Sequence, residues 1–274
     1  MDTDIPSLAQ IHWHDHSAAV GAGLDLHAFA MFRDEVVAPS INALEKRIEE
    51  MERSGDIADR AFGADAYAEL HHSTIEGFLL TTQSMHERSL RGLMIAMAQR
   101  KKWTTDEQRK IKTADWSKGS KGVPALFQRL FDSPLQAFGD QADLNILRVF
   151  GNVLRHGDGP SAEELHNLCP SLWSHWLPPG TVLDIAGFQL QFPPDDPPHP
   201  RFEDITLPRS LLEQMISAVV GFWEDVEFVR CNSFSNTNTG IQRHLADLTR
   251  KRESRSANRV WNPGWGHAPA QWLD

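Results

Sequence analysis

The sequence predicts an all-α protein: a helical bundle with a small β-hairpin insertion near residues 181–192 and an irregular C-terminal tail. Long segments carry apolar residues at three- and four-residue steps, which is the period of an amphipathic helix. Residues 181–192 instead form two short runs typical of strands, on either side of Ala186 and Gly187. After about residue 230 the composition changes and becomes basic.

Composition places the chain among globular proteins. It has 274 residues, 41% of them hydrophobic and 23% charged, enough for a sizeable core. The formal net charge of −10 argues against a broad electrostatic grip on nucleic acid, which depends on Lys and Arg neutralising phosphates, but it is compatible with a local basic site. Cys169 and Cys231 lie in no metal-ligand spacing and are expected to be reduced.

The N-terminal residues and the apolar runs bear on location. The first ten residues lack the basic-then-apolar layout of a signal peptide. No apolar run approaches the roughly 20 residues of a membrane span. We therefore expect a cytoplasmic protein with no membrane partner and no cofactor.

Several segments show helical periodicity. The pattern is clear between Leu90 and Met97, where apolar residues follow the i, i+3, i+4, i+7 template. Ser161 and Glu164 have the spacing of a capping box and predict that a short helix starts there. The helices are expected at about 27–53, 65–102, 123–132, 141–156, 161–168 and 208–231.

The remaining segments are predicted to be connections and a tail. Residues 103–122 are typical of an exposed connection, and 193–198 of a stiff proline-rich linker. We divide the chain into a helical domain, 1–232, and a basic extension, 233–274. The extension interleaves cations with Trp261, Trp265 and Trp272, which could stack on single-stranded nucleic acid or dock on their own domain.

The run from Leu147 to Gly159 carries the most chemistry. On a helix its apolar residues share one face, and the opposite face collects two arginines, two amides and a histidine: Asn145, Arg148, Asn152, Arg155 and His156. His156 lies in the last turn, where the helix dipole favours its protonated form, and Gly157 supplies a left-handed stop.

Such a face could cleave RNA without a metal. Histidine can move the proton of a 2′-hydroxyl as that oxygen attacks its own phosphate, and arginine can hold the phosphate and its developing charge. The expected product is a 2′,3′-cyclic phosphate. Amphipathic helices also carry Arg, Asn and His on an ordinary solvated face, and that interpretation stays open.

Two stretches resemble the HEPN superfamily (higher eukaryotes and prokaryotes nucleotide-binding). Residues 152–173, NVLRHGDGPSAEELHNLCPSLW, resemble a HEPN-like bacterial group with an N-x-x-(Arg/Lys)-H-G-x-G motif, and residues 83–91 resemble its preceding long helix. The resemblance covers roughly residues 65–175. It implies an all-α domain, a homodimer with facing motif helices, and, in many members, a metal-independent RNase of toxin–antitoxin or defence systems. Gly151 stands where the family has an arginine, so Arg148 or Arg155 would have to hold the phosphate.

Three hypotheses follow. The first is a HEPN-like endoribonuclease, with His156 as the acid–base group, Arg148 or Arg155 as the phosphate binder and Asn152 as an orienting group. The second is a non-catalytic module for dimerisation, nucleotide sensing or binding a partner such as an antitoxin. A third, weaker hypothesis makes the alternating His12, His14 and His16 part of a metal enzyme, although we expect a plain surface segment and no metal.

Further residues near the motif are candidates for substrate binding: Asn145, Asp158, Arg88, Arg91 and Glu87. Glu87 and Arg91 are four residues apart, so a simple ion pair along the helix is the favoured alternative. The position of His156 separates the first two hypotheses. Two His156 side chains facing each other across a dimer cleft favour the enzyme, and a His156 in bulk solvent favours the module.

Overall fold

Two long helices organise the fold. The computed structural model describes residues 5–116, 119–185, 188–193, 198–235 and 238–264. In these ranges the helices are α1 (Ala22–Met31), α2 (Ala38–Glu52), α3 (Ala64–Arg100), α4 (Thr105–Thr113), α5 (Val123–Phe131), α6 (Gln141–His156), α7 (Pro160–Leu168), α8 (Arg209–Asn232) and α9 (Thr239–Ser254). The two long helices are α3, which contacts α2, α4, α5, α6 and α8, and α8, which in turn contacts α1, α6 and α9. The prediction of a mostly helical protein is confirmed.

The bounds of α6 agree with those predicted. The Asp140 side chain caps its start by accepting from the backbone N–H of Ala142 at 3.0 Å, and Gly157 ends it with φ 72°. The next predicted helix is confirmed, but its predicted capping box is wrong. Helix α7 begins at Pro160, one residue before Ser161, and has no side-chain cap because its N-cap residue, Gly159, has no side chain.

The expected exposed connection contains a helix. Thr104 and Glu107 form a capping box that starts α4, with the backbone N–H of Thr104 donating to Glu107 at 2.9 Å. Ile111 buries this helix against the core. Residues 105–113 are thus largely exposed, as expected, with only Ile111 buried, but they form a helix instead of an irregular connection.

A two-stranded antiparallel hairpin confirms the predicted insertion. Strand β1 (Val182–Ile185) pairs with β2 (Phe188–Gln191). The residues between the strands, 186–187, and the centre of the proline-rich linker, 194–197, lie outside the described residues.

The predicted irregular tail is wrong for Thr239–Ser254, which form α9, whereas residues 255–264 contain no helix or strand, as expected. Asn238 caps α9 by accepting from the N–H of Ile241 at 3.0 Å, and α9 packs against α8. Trp261 is buried in the core, whereas Trp265 and Trp272 lie outside the described residues. No helix in the described ranges is long and apolar enough to cross a membrane.

Ion pairs attach the C-terminal residues to the core. Asp143 on α6 is fully buried and accepts from Arg259 at 2.5 Å and from Gln214 at 2.7 Å. Burial raises the pKa of Asp143 even though Arg259 opposes this shift. The Asp143 charge therefore depends on an arginine that lies 116 residues away in the chain.

A second acidic pair, on α8, repeats this arrangement. Asp225 is 1% exposed and meets Arg252 at 2.6 Å and Arg255 at 2.9 Å, and Arg255 also pairs with Glu224 at 3.0 Å. We call these groups the C-terminal clamp: Arg252, Arg255 and Arg259 with Asp143, Glu224 and Asp225. The three arginines of the clamp, which the sequence suggested as cations for nucleic acid, pair with carboxylates of their own chain.

Replacing Arg259 with Met should lower the free energy of unfolding by about 3–5 kcal/mol, because it leaves Asp143 buried without a counter-charge. Arg259→Met combined with Asp143→Leu should recover most of the loss. Arg250→Met is the control, since its pair with Asp247 is exposed and contributes at most about 1 kcal/mol. Denaturant unfolding measures all three, and equal losses in the two single variants would contradict the clamp.

Candidate functional site

The predicted catalytic residues all lie on α6, and each arginine among them has its own partners. His156 is exposed at the end of α6, and Asn152, one turn earlier, is partly buried. Arg155 turns to α3, where it donates to Ser84 Oγ at 3.1 Å and to Gln83 Oε1 at 2.5 Å. The two arginines of the motif therefore contact different helices: Arg155 contacts α3, and Arg148 contacts α7.

Arg148 is held on the side of α7. It donates to Asn145 Oδ1 at 2.9 Å and to Glu164 Oε1 at 3.0 Å. This geometry brings Asn145 to Arg148 as a hydrogen-bond partner. Neither guanidinium is placed beside His156 by these contacts.

Gly151 marks a close approach of α6 to α3. A Cβ at this position would lie 2.9 Å from Cγ, Cδ and Oε1 of Gln83, which is itself 5% exposed. Arg155 donates to the Gly151 carbonyl at 3.0 Å and covers the same contact. The position that carries arginine in the HEPN motif is therefore inside a helix–helix contact here, where a long cation has no space.

The other candidates for substrate binding mostly have structural partners. Arg91 pairs with Glu87 at 2.6 Å and donates to the Ala114 carbonyl at 2.7 Å, so it holds the end of α4. Asp158 accepts from the N–H of Phe202 at 2.7 Å and fixes the chain before α8. Arg88 is exposed.

The three N-terminal histidines lie apart from any ligand set found in the described ranges. His12 Nδ1 lies 3.2 Å from the Asn232 carbonyl, and the His16 ring packs edge-on against Phe234 at 4.9 Å. His14 is exposed. These contacts are those of a segment that packs on the end of α8.

A cavity of about 160 Å³ lies between α3, α6 and α8. Its apolar lining includes Leu90, Leu147 and Phe222. Most of its polar lining comes from Gln83, His86 and Glu87 on α3 and from Gln141, Asn145 and Arg148 on α6, and Gln136 contributes from the segment before α6. Three of the predicted residues, Glu87, Asn145 and Arg148, thus meet here rather than at His156.

His86 is the residue that sequence reasoning missed. It is 7% exposed, and its ring packs edge-on against Phe222 at 4.9 Å. Burial lowers the pKa of His86 to about 4, so the imidazole is neutral at pH 7. A signal was present in the sequence, because His86 lies seven residues after Leu79 and four before Leu90, in the buried stripe of α3.

Two residues that line this cavity carry a buried side-chain nitrogen with no hydrogen-bond partner among the described residues. These nitrogens are Nδ1 of His86 and Nε1 of Trp116, and atoms of the same kind also occur elsewhere, for example on Trp13 and Trp223. A buried polar group without a partner costs about 1–3 kcal/mol. Native proteins keep such groups rarely, and often where a ligand or ordered water completes the site.

A larger cleft of about 660 Å³ runs between α1, α8 and the residues after α9. It is lined by Arg33, Lys251, Arg255 and Arg259, each of which pairs with a carboxylate of this chain. This cleft is the seam of the C-terminal clamp. We prefer the smaller cavity as the candidate site because it gathers polar side chains of α3 and α6 around His86, whereas the cations of the larger cleft are already paired with carboxylates.

Comparison with protein-family models, with curated proteins and with solved structures found no match to this chain.

Gly151→Ala should lower the free energy of unfolding by about 1–3 kcal/mol, because its methyl group overlaps a Gln83 side chain that Arg155 and Glu87 hold in place. Gly92→Ala on α3 is the matched control. Nothing lies within 4 Å of its Cβ, so alanine should stabilise the helix by about 0.5–1 kcal/mol. Thermal unfolding compares the two, and a stabilised Gly151→Ala would refute the close approach.

His86 should make stability depend on pH. Its pKa falls from 6.5 to about 4 on folding, so the unfolded chain binds the proton more readily. Stability should be constant for this group above pH 6.5 and fall by about 3 kcal/mol as the pH drops to 4. His86→Phe should remove this part of the slope, and the exposed control His156→Gln should keep it. Denaturant unfolding at pH 4–8 measures both, and identical slopes in wild type and His86→Phe would exclude the assignment.

Proposed function

We propose that this chain is a non-catalytic, HEPN-like module that binds a nucleotide, with the base in the α3–α6 cavity. The observation that carries the proposal is the pair of buried, unpartnered nitrogens on His86 and Trp116. A cytoplasmic location and a homodimer belong to the same proposal.

The size and lining of the cavity suit a single heteroaromatic ring. A volume of about 160 Å³ is close to that of an engineered cavity of about 150 Å³ that binds benzene. Leu90, Leu147 and Phe222 supply apolar contacts for the ring faces. Nδ1 of neutral His86 donates or accepts according to the tautomer, and the indole of Trp116 donates, so a ring edge with polar groups facing these two nitrogens would satisfy them.

Arg148 supports a phosphate at the mouth of the cavity. Its side chain is 25% exposed, and its partner Glu164 is 45% exposed. A surface pair of this kind contributes about 1 kcal/mol or less, so exchange of Glu164 for a phosphate is inexpensive. Arginine binds phosphate through strong, charge-assisted hydrogen bonds. The ligand class is therefore a nucleoside monophosphate.

The test is calorimetric titration of the full chain with AMP, GMP, CMP and UMP. At least one should bind, and Arg148→Gln should weaken it about 10- to 100-fold through the loss of charged hydrogen bonds. His86→Phe should abolish binding because the phenyl ring lacks both nitrogens. Arg250→Gln, an exposed arginine paired three residues away, is the control and should bind as wild type.

No binding by any of the four nucleotides would overturn the proposal, as would equal affinity in wild type and His86→Phe. Circular dichroism of each variant separates loss of binding from loss of fold.

A second candidate, a metal-independent endoribonuclease, is favoured by one observation. His156 is exposed and Asn152 precedes it on the same face of α6, so a second copy of the chain has access to both. Incubation with RNA in EDTA tests this activity. Cleavage that disappears in His156→Ala and survives in His86→Phe would place the function at His156 instead of the cavity.

A further inference from the structure

The last turns of α8 and the middle of α9 bring together three side chains that can ligate a metal. Glu227 and Cys231 lie four residues apart on one face of α8, and His244 reaches them from α9. Cys231 Sγ lies 3.3 Å from Glu227 Oε1, and His244 Nε2 lies 3.4 Å from the same oxygen. All three ligand atoms are within 4.8 Å of one another.

These separations match the edges of a tetrahedral zinc site. Zinc binds sulfur at about 2.3 Å, imidazole nitrogen at about 2.0 Å and carboxylate oxygen at about 2.1 Å. At a tetrahedral angle these bond lengths place oxygen and nitrogen about 3.4 Å apart, and oxygen and sulfur about 3.6 Å apart. The two measured distances fall on or close to these values, so little movement would be needed to accept the ion.

We propose that Glu227, Cys231 and His244 bind a zinc ion that joins α8 to α9. One thiolate, one imidazole and one carboxylate form the mixed donor set that suits zinc, and a water completes the four ligands. Glu227 and Cys231 are buried, whereas the His244 side chain is 44% exposed. The ion would therefore enter from the His244 side, and the water would face solvent.

Arg230 is the competitor for this site. Its guanidinium donates to both carboxylate oxygens of Glu227, at 2.7 and 2.5 Å, and lies 3.4 Å from Cys231 Sγ. It also stacks over Phe234 at 5.2 Å, which gives it a second contact. Zinc must share the Glu227 carboxylate with this cation, so removal of Arg230 should strengthen metal binding.

Binding changes the protonation of the ligands in a defined way. In the metal-free protein the Cys231 thiol donates to Glu227. Zinc replaces that S–H bond with an S–Zn bond and releases one proton to solvent. His244 ligates as the neutral tautomer that keeps its proton on Nδ1.

The experiment uses the untagged full chain, stripped with EDTA and dialysed against Zn²⁺ or Co²⁺. Elemental analysis should find one zinc per chain, and the cobalt form should show the charge-transfer band of a thiolate ligand. Cys231→Ala and His244→Ala should each lower the zinc affinity by more than about tenfold. Loss of a residue that only supports a ligand already costs about that much, and these two residues are ligands themselves. Cys169→Ala, at a buried cysteine outside the cluster, is the matched control and should bind as wild type.

Arg230→Gln distinguishes a metal site from an ion-pair network. The proposal expects tighter zinc binding in this variant, without disruption of the fold as seen by circular dichroism. Absence of stoichiometric zinc in both wild type and Arg230→Gln would overturn it. Equal zinc affinity and an unchanged cobalt band in Cys231→Ala would overturn it as well.

Discussion

The ion pair between Asp143 and Arg259 is the contact on which the arrangement of the C-terminal half depends. Asp143 has no exposed surface, and a buried carboxylate is tolerated only with a counter-charge and hydrogen bonds. Arg259 and Gln214 provide them, so α6, α8 and the residues after α9 must come together at one point. Asp225 on α8 is also buried, and it needs Arg252 and Arg255 as counter-charges in the same way.

This constraint also determines which surfaces are left for function. The clamp arginines neutralise acidic groups of α6 and α8, so their positive charge is not free to meet phosphates. On the other side of α6, the absence of a side chain at Gly151 brings α3 close, and Arg155 covers the contact through Gln83. Among the polar groups that remain without partners, those of His86 and Trp116 belong to residues that line the cavity beside that contact.

The sequence predicted the elements whose stabilisation is local. Helix α6 has a strong apolar face, an aspartate cap and a glycine stop, and its bounds were predicted to the residue. Helices α4 and α9 were missed because each buries one residue, Ile111 and Leu248 respectively, and so shows little periodicity. The cap of α4 was visible as Thr104 and Glu107, but the pairs that hold α9 and the residues after it join residues far apart in the chain, such as Arg252 with Asp225 and Arg259 with Asp143.

The candidate site was predicted in part for the same reason. Glu87, Asn145 and Arg148 were recognised as polar residues on helices, but no local pattern shows that they share a cavity with His86. In the function we propose, ligand recognition takes place at His86 and not at His156. The most direct test is the ¹⁵N spectrum of the histidine side chains during titration with nucleoside monophosphates. We expect the ¹⁵N resonances of the His86 ring to shift while those of His156 stay unchanged. A shift confined to His156 would contradict ligand binding at His86.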